Sequence, residues 1–309
     1  MGIVESQPAN EIAAMKALLI VNPTSGHGPS GGGVASLQQD LREFVAETVE
    51  TQNRGEAEEL ARSAAARGFD AVLVAGGDGT VNEAVNGLVT DGSAALPLGI
   101  IPVGTQNVLA HELGIRSAYT ESIVELLRAG RSRRIDLGRA GGRCFSLMAG
   151  FGFDASVVRD VEPTVKDLIG PAAYALAALH MLLKYKSTSV KLRLDGQDVT
   201  TEAFLVVIAN AASYAWHQVH LAPFASLDDG WLDVCVFERA PLPRVGFVTQ
   251  LAAVLTRRHL KDPRVRYYRA RRIEVSSDPP VQGQLDGDTY SETPLTVEVL
   301  PKALTVLVP

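Results

Sequence analysis

Ala71-Val-Leu-Val-Ala75 runs directly into Gly76-Gly-Asp-Gly-Thr-Val-Asn-Glu83. The five apolar residues read as a strand buried on both faces, the kind found in parallel sheets. The glycines behind it, Gly76, Gly77 and Gly79, permit positive φ and let the backbone approach a ligand with no Cβ in the way. Thr80 and Glu83 have the Thr-x-x-Glu spacing of a capping box, which predicts a helix over 80–88. The N–H groups and positive dipole end of that helix suit a phosphate. An ordinary tight turn explains the glycines equally well. It does not explain Asp78 at the centre, which would repel a phosphate unless a cation lay between. Asp78 therefore suggests Mg²⁺-nucleotide chemistry.

The alternation extends outward in both directions. Further strands are expected at 17–21, 47–51 and 98–101, and helices at 34–44, 56–67, 106–113 and 119–129. Strands alternating with such helices indicate βαβ units and a parallel sheet covered by helices. Two more turns follow parallel strands: Asn22-Pro-Thr-Ser-Gly26 and Pro102-Val-Gly-Thr-Gln-Asn107. Ligands of open α/β sheets bind beyond the carboxyl ends of the strands, so three such turns are expected to converge on one crevice. Beyond Asp136 the pattern changes to strand-like segments at 144–149, 190–194, 203–209, 231–237, 272–275 and 281–285. Asp195-Gly196, Asp229-Gly230 and Asp286-Gly287 mark turns among them. The expected architecture is an α/β N-terminal domain with a parallel sheet and Gly-rich nucleotide loops, followed by a mostly antiparallel β-sandwich. Helical inserts are expected over 171–185 and 245–258. The domains are set at 1–137 and 138–294, the last strand, about 295–309, returning to the first.

Composition narrows the function classes. With 46% hydrophobic and 21% charged residues over 309 positions, the chain is globular rather than disordered or coiled-coil. A net charge of −6 argues against a nucleic-acid binder. Cys144 and Cys235 lie in apolar runs and read as buried thiols, which fits a cytoplasmic protein. The longest apolar stretch, 172–179, is far short of the ~18–20 residues of a membrane span. There is no Walker-type Gly-x-x-x-x-Gly-Lys-Ser/Thr and no Gly-x-Ser-x-Gly elbow. His217 and His220 have a ligand-like spacing but no third partner.

Gly76-Gly-Asp-Gly-Thr80 with Asn82-Glu83, Asn22-Pro-x-Ser-Gly26 and Gly104-Thr-x-Asn107 together resemble the diacylglycerol kinase/sphingosine kinase catalytic-domain family, its soluble bacterial lipid kinases most of all. Asp229-Gly-x-Leu-Asp233 and Leu285-Asp-Gly-Asp288 match second-domain landmarks, so the likeness covers nearly the whole chain. NAD kinases carry a related glycine turn, but their Gly-Ser-Thr-Ala-Tyr-type segment is absent. The resemblance implies ATP held at Asn22, Pro23, Thr24, Ser25, Gly26, Thr51, Gly76, Gly77, Asp78, Gly79, Thr80, Val81, Asn82, Gly104, Thr105 and Asn107. It implies catalysis by Asp78 and by an acid within Asp286-Gly287-Asp288, where the family commonly reads Asp-Gly-Glu. Either Asp286 or Asp288 then serves as the base. It also implies a Mg²⁺ site at Ser226, Asp229 and Trp231, made of the Asp229 carboxylate and backbone carbonyls; a plain hairpin tip explains the same residues.

The implied activity is ATP- and Mg²⁺-dependent phosphorylation of a hydroxyl on a diacylglycerol-like or sphingoid/ceramide-like lipid. A NAD kinase-like enzyme and a nucleotide-binding regulator without catalysis are the alternatives. Phe145-Ser-Leu-Met-Ala-Gly-Phe-Gly-Phe153 reads either as the lining of a lipid-tail pocket or as a core strand and bend. The apolar helix over 172–185 is either buried or flanks a lipid entrance. Residues 257–272 hold eight Lys or Arg against Asp262 alone. That is either a solvated face or a peripheral contact with an anionic membrane.

Overall fold

The computed structural model describes residues 5–6, 15–26, 33–116, 120–152, 187–214, 219–241 and 243–309. The helix expected over 171–185, together with Phe153 and His217, lies outside them. The chain forms two compact units. One comprises Met1–Leu137, Leu227–Gly230 and Leu300–Pro309; the other comprises Gly138–Ser226 and Trp231–Val299.

The first unit begins with β1 (Glu5–Ser6), β2 (Ala17–Val21), α1 (Gly33–Asp40), β3 (Val45–Glu50), α2 (Glu56–Ala64), β4 (Ala71–Gly76) and α3 (Asp78–Leu88). After the small hairpin β5 (Val89–Thr90) and β6 (Ser93–Ala94) come β7 (Leu98–Pro102), α4 (Val108–Glu112), α5 (Thr120–Ala129) and the start of β8 (Arg131–Ala140). Strands β7, β4, β2 and β3 lie side by side in that order and run parallel. β2 and β4 are uninterrupted apolar runs because both faces are covered, every residue of each being buried, whereas β3 at the edge carries Glu47 and Glu50 and is only partly covered. The register pairs Val21 with Ala75 and Ala75 with Ile101, and Val21 also with Glu50. All four strands therefore end at one edge, and the chain turns off there at neighbouring points.

α3 starts two residues before the expected position. Its N-cap is Gly77, which makes no side-chain cap, so Thr80 sits inside the first turn and is buried. The expected capping box is thus replaced by a different use of the Thr80 hydroxyl, described below. The helix expected over 106–113 shrinks to α4 because Asn107 takes a left-handed conformation (φ 50°) and closes a turn before it.

Among the described residues, the strands of the second unit pair antiparallel. It contains β9 (Arg143–Phe145), β10 (Met148–Gly152), β11 (Thr188–Leu194), β12 (Gln197–Ala209), β13 (Ser213–Tyr214), β14 (Val219–His220) and β15 (Leu232–Glu238). These are followed by α6 (Pro243–Leu255), a short 3₁₀ turn at His259–Lys261, β16 (Val265–Ala270), β17 (Arg272–Asp278), β18 (Gln282–Leu285) and β19 (Asp288–Glu292). The strand order is β19-β18-β10-β12-β11-β17, ending on the first half of β20 (Leu295–Leu307). β15 joins β12 to β16. Alternate residues of β12 and β15 feed two cores: Val206, Ile208, Val234 and Val236 enter one, and Leu205, Val207, Cys235 and Phe237 the other. This is the two-residue side-chain period of a sheet covered on both faces. The single strand expected over 144–149 is instead two, β9 and β10, interrupted where the backbone of Ser146 and Leu147 bonds to a carboxylate.

Both cysteines are buried, and burial pushes their thiols up, to about 11 for Cys144 and about 12 for Cys235. His259 is also buried. Its Nε2 lies 3.1 Å from the Leu221 carbonyl, its ring stacks on Phe237, and Nδ1 has no partner. Burial holds its pKa below the usual imidazole range. The unfolded chain takes up this proton near pH 6.5 while the native protein resists it, so stability declines as pH falls through that region. Urea unfolding at a series of pH values is expected to show this decline, with His259 contributing up to ~1.4 kcal/mol per pH unit. In His259→Gln that part of the slope is expected to be gone.

Candidate functional site

The shared edge of the parallel strands brings three turns into contact within the first unit. After β2, the Asn22 N–H donates to the Ala75 carbonyl (2.9 Å), and the Asn22 side chain organises its own turn. Its Oδ1 accepts the Thr24 N–H (3.0 Å) and the Thr24 hydroxyl (2.8 Å). Its Nδ2 donates to the Thr80 Oγ1 (2.9 Å), tying the first turn to α3. Ser25 reaches the second turn, where its Oγ accepts the Gly77 N–H at 3.3 Å. In the third turn Asn107 folds back on Gly104, accepting its N–H (3.0 Å) and donating to its carbonyl (2.7 Å).

The turns meet backbone to backbone. A Cβ on Gly104 would lie 2.4 Å from the Gly77 Cα, and one on Gly26 would lie 2.2 Å from the Val103 carbonyl oxygen. Gly26 also has φ 59°, which favours glycine twice over. Gly79 differs: a Cβ there would meet nothing within 4 Å, so the head of α3 faces open space. The first bond of the α3 ladder runs from the Val81 N–H to the Gly77 carbonyl, and the N–H groups of Gly79 and Thr80 precede it. These donors and the helix dipole make a place for an anion.

The remaining expected residues of this unit divide into two kinds. Pro23, Thr24 and Thr105 are exposed at the turns, and Asp78 is half-buried at the head of α3, its Oδ1 3.4 Å from the Leu109 N–H. Thr51 is buried beside the end of β2, where its N–H donates to the Val21 carbonyl at 2.8 Å. Val81 faces the core of α3, and buried Asn82 accepts from the Asn86 side chain.

In the second unit, Asp286 and Gly287 form the two-residue turn joining β18 to β19, at φ 47° and 86°. This is the Asp-Gly hairpin turn for which both positive φ values are required. The Asp286 carboxylate accepts four hydrogen bonds from the β9–β10 break. They come from the Ser146 N–H (2.7 Å) and hydroxyl (3.0 Å), the Leu147 N–H (2.9 Å) and the Met148 N–H (2.9 Å). Burial pushes its carboxyl above the usual range, and the four donors pull it back. Asp288 is the first residue of β19 and half-buried, opposite Leu285.

Of the expected metal residues, Asp229 belongs to the first unit, and Ser226 and Trp231 to the second. The Trp231 ring carries two guanidinium groups, Arg271 at 4.5 Å and Arg269 at 5.7 Å. Among the described residues no group of three or more acids, histidines or cysteines is arranged for a metal. One acid here was missed by sequence reasoning. Asp136 is fully buried in β8, accepting the Gly230 N–H and the Lys302 N–H, each at 2.6 Å. Burial raises its pKa, and the charges of Asp229 and Asp228 add to that. The available signal was an acid between Ile135 and Leu137 in an otherwise apolar strand.

The lipid-tail reading of 145–153 is not what the described residues form. Phe145, Leu147, Met148 and Phe151 are core side chains. The cavity that Phe151 and Gly152 border holds about 10 Å³, room for one water.

Residues 16–140 match the family of the diacylglycerol kinase catalytic domain, and residues 148–308 match the YegS C-terminal NAD kinase beta sandwich-like domain. The chain belongs to the diacylglycerol kinase family. A diacylglycerol kinase of Bacillus subtilis (strain 168) is 33% identical over 275 residues, covering 88% of this chain and 89% of that one. One from Staphylococcus saprophyticus is 30% identical over 281 residues, 90% of each. A crystal structure of a putative diacylglycerol kinase from Bacillus anthracis matches with a TM-score of 0.78 at 25% identity over 95% of both chains. Membership in the diacylglycerol kinase family makes this chain an enzyme of the lipid-kinase class.

Two substitutions probe the geometry by thermal or urea unfolding. Gly104→Ala forces the third turn away from Gly77 and is expected to cost about 1–3 kcal/mol, the usual penalty of overpacking. Asp286→Ala leaves three N–H groups of the β9–β10 break without their acceptor and is expected to cost ~3 kcal/mol or more. A variant of either kind as stable as the parent contradicts the contact it removes.

Proposed function

We propose that this enzyme transfers the γ-phosphoryl group of ATP to the free hydroxyl of a diacylglycerol-like lipid, with Mg²⁺ as the accompanying cation. The reading rests on the convergence of three glycine turns at one edge of a parallel sheet, in a chain whose relatives are named diacylglycerol kinases. Such turns suit a polyphosphate because it needs many donors and close backbone approach.

Phosphoryl transfer asks the protein mainly to position reactants and stabilise charge. Asn22 to Gly26, Gly76 to Asn82, and Gly104 to Asn107 bind and orient the nucleotide, with Thr51 bordering them. Asp78 fits a divalent cation: it is a carboxylate at the head of α3, beside N–H groups suited to phosphate. When bound, that ion neutralises charge on the phosphate oxygens. A second cation at Ser226, Asp229 and Trp231, with Asp229 supplying the carboxylate, belongs to the same reading.

Asp288 is the base in this reading. The Asp286 carboxylate is fully engaged in holding the β9–β10 break, so its role is to fix the turn from which Asp288 projects. Asp288 takes the proton of the lipid hydroxyl. The hydroxyl oxygen bonds to the γ-phosphorus, and the bond from that phosphorus to the bridging oxygen of ADP breaks.

Labelled ATP offered with diacylglycerol, ceramide, sphingosine and NAD is expected to transfer its label to diacylglycerol. Label on NAD alone, or on no acceptor, overturns the proposal. Asp288→Asn is expected to lower turnover ~10²–10⁴-fold, the usual contribution of a positioned base, while the unfolding midpoint and ATP affinity stay at parental values. Asp288→Glu, which keeps a carboxylate, is expected to retain activity. A fully active Asp288→Asn enzyme removes Asp288 from the mechanism.

A further inference from the structure

Strand β18 ends in Gln284-Leu285 just before the Asp286-Gly287 turn, and these two side chains are used differently. Leu285 enters the core, whereas Gln284, with no exposed surface, turns its Oε1 onto the Gly287 N–H at 2.7 Å. A buried side-chain amide costs free energy that only hydrogen bonds offset, and an apolar side chain of similar size would bury there at a gain. The sheet does not require the bond to Gly287. In a two-residue hairpin the ladder is made by the flanking residues, here Leu285 and Asp288, and the N–H of the second turn residue is left over. Gly287 is only half-buried, so water has access to it. A buried polar side chain serving a group within reach of water is the kind of local inconsistency that marks a functional position.

The same turn is held from its other side. The Asp286 N–H donates to the Met148 carbonyl (3.0 Å), and the Asp286 carboxylate takes the four donors of residues 146–148. Those residues are fixed in turn by the chain just past β12. Buried Asn210 donates its Nδ2 to the Ser146 carbonyl (2.8 Å), and the N–H groups of Asn210 and Ala211 reach the Leu147 carbonyl at 2.8 and 3.0 Å. Both N–H groups of the turn thus end on partners within this unit, and the residue that follows is Asp288. An aspartate carboxylate is separated from its backbone by one rotatable bond fewer than a glutamate's, so its place follows closely that of its Cα. A general base works only within about 2.6–3.2 Å of the proton's oxygen.

We propose that Gln284 is a positioning residue for Asp288. It acts through the Gly287 N–H rather than on a reactant: by holding that group it fixes the backbone that leads into Asp288, and with it the reach of a short carboxylate. The Asp-Gly sequence sets the type of the turn. The bonds of Asp286 and Gln284 set its orientation on the sheet. The inference rests on the reading of Asp288 as the base, and goes beyond it by assigning what places that base.

The test is steady-state kinetics of Gln284→Met, which keeps the length of the side chain and removes its acceptor, in the parental and the Asp288→Glu backgrounds. In the parental background kcat is expected to fall about ten- to a hundredfold, the scale of an ångström's misplacement. KM for ATP and for diacylglycerol is expected to stay unchanged, and the melting curve to stay close to the parent's. Gln284→Asn, which keeps the amide but withdraws it from Gly287, is expected to behave likewise. In Asp288→Glu the longer side chain regains the distance, so either substitution is expected to cost less than about threefold there. Hydrogen exchange gives a readout without turnover: the Gly287 amide is expected to be protected in the parent and to lose that protection in both variants. Parental kcat in both variants overturns the proposal, as does an equal loss in the two backgrounds or an unprotected Gly287 amide in the parent. A fully active Asp288→Asn enzyme is a separate result that removes the base itself. An inactive Asp288→Asn beside fully active Gln284 variants removes the positioning role alone.

Discussion

Gly104 passes Gly77 with no space for a side chain of its own, and that contact follows from the register of the sheet behind them. Val21, Ala75 and Ile101 stand side by side in three parallel strands, so the chain leaves all three at adjacent points. Loops emerging so close can cross only where the backbone is bare. The bonds from Asn22 to Thr80 and from Ser25 to Gly77 then lock the first turn to the second, and Asn107 closes the third upon itself. The head of α3 is left facing open space at Gly79. Strand register, glycine placement and the direction of one helix form a single constraint.

Carboxylates do structural work at two further places, in the same way. Asp136 and Asp286 are both anchored by backbone N–H groups. A carboxylate has acceptor capacity at two oxygens, so it can collect donors from separate chain segments that no sheet ladder satisfies. Asp136 joins β8 to Gly230 and Lys302, and Asp286 joins a hairpin turn to a broken strand. Removing such a group exposes the cost of every donor it served.

The sequence made the first sheet legible because strands buried on both faces leave uninterrupted apolar runs, as at 17–21 and 71–75. The three turns were legible because glycine and asparagine are confined to few backbone uses. Other features depended on partners distant along the chain. β8 opens with Arg131-Ser-Arg-Arg134 and shows no strand-like alternation. β16 was absorbed into a basic stretch, since only its end residues Val265 and Ala270 are buried. The start of α3 was misplaced because a glycine N-cap leaves no side-chain signature. Charge counting over 257–272 overstated the cationic surface. Glu238 and Glu298, which pair Arg266 and Arg272, lie well outside that window. The structural use of Asp286 was likewise hidden, because the donors that occupy its carboxylate come from residues 146–148.

The last residues of the chain have a further consequence. Leu300–Pro309 belong to the first unit, where Val306 pairs with Leu98 and places β20 alongside β7. During synthesis, β7 therefore waits with an open hydrogen-bonding edge until β20 has been made. A fragment cut after Leu137 keeps that edge uncovered for good, and a bare strand edge is a template for aggregation. The three turns of the first unit lie close together along the chain, yet the sheet behind them is completed by a strand from far downstream.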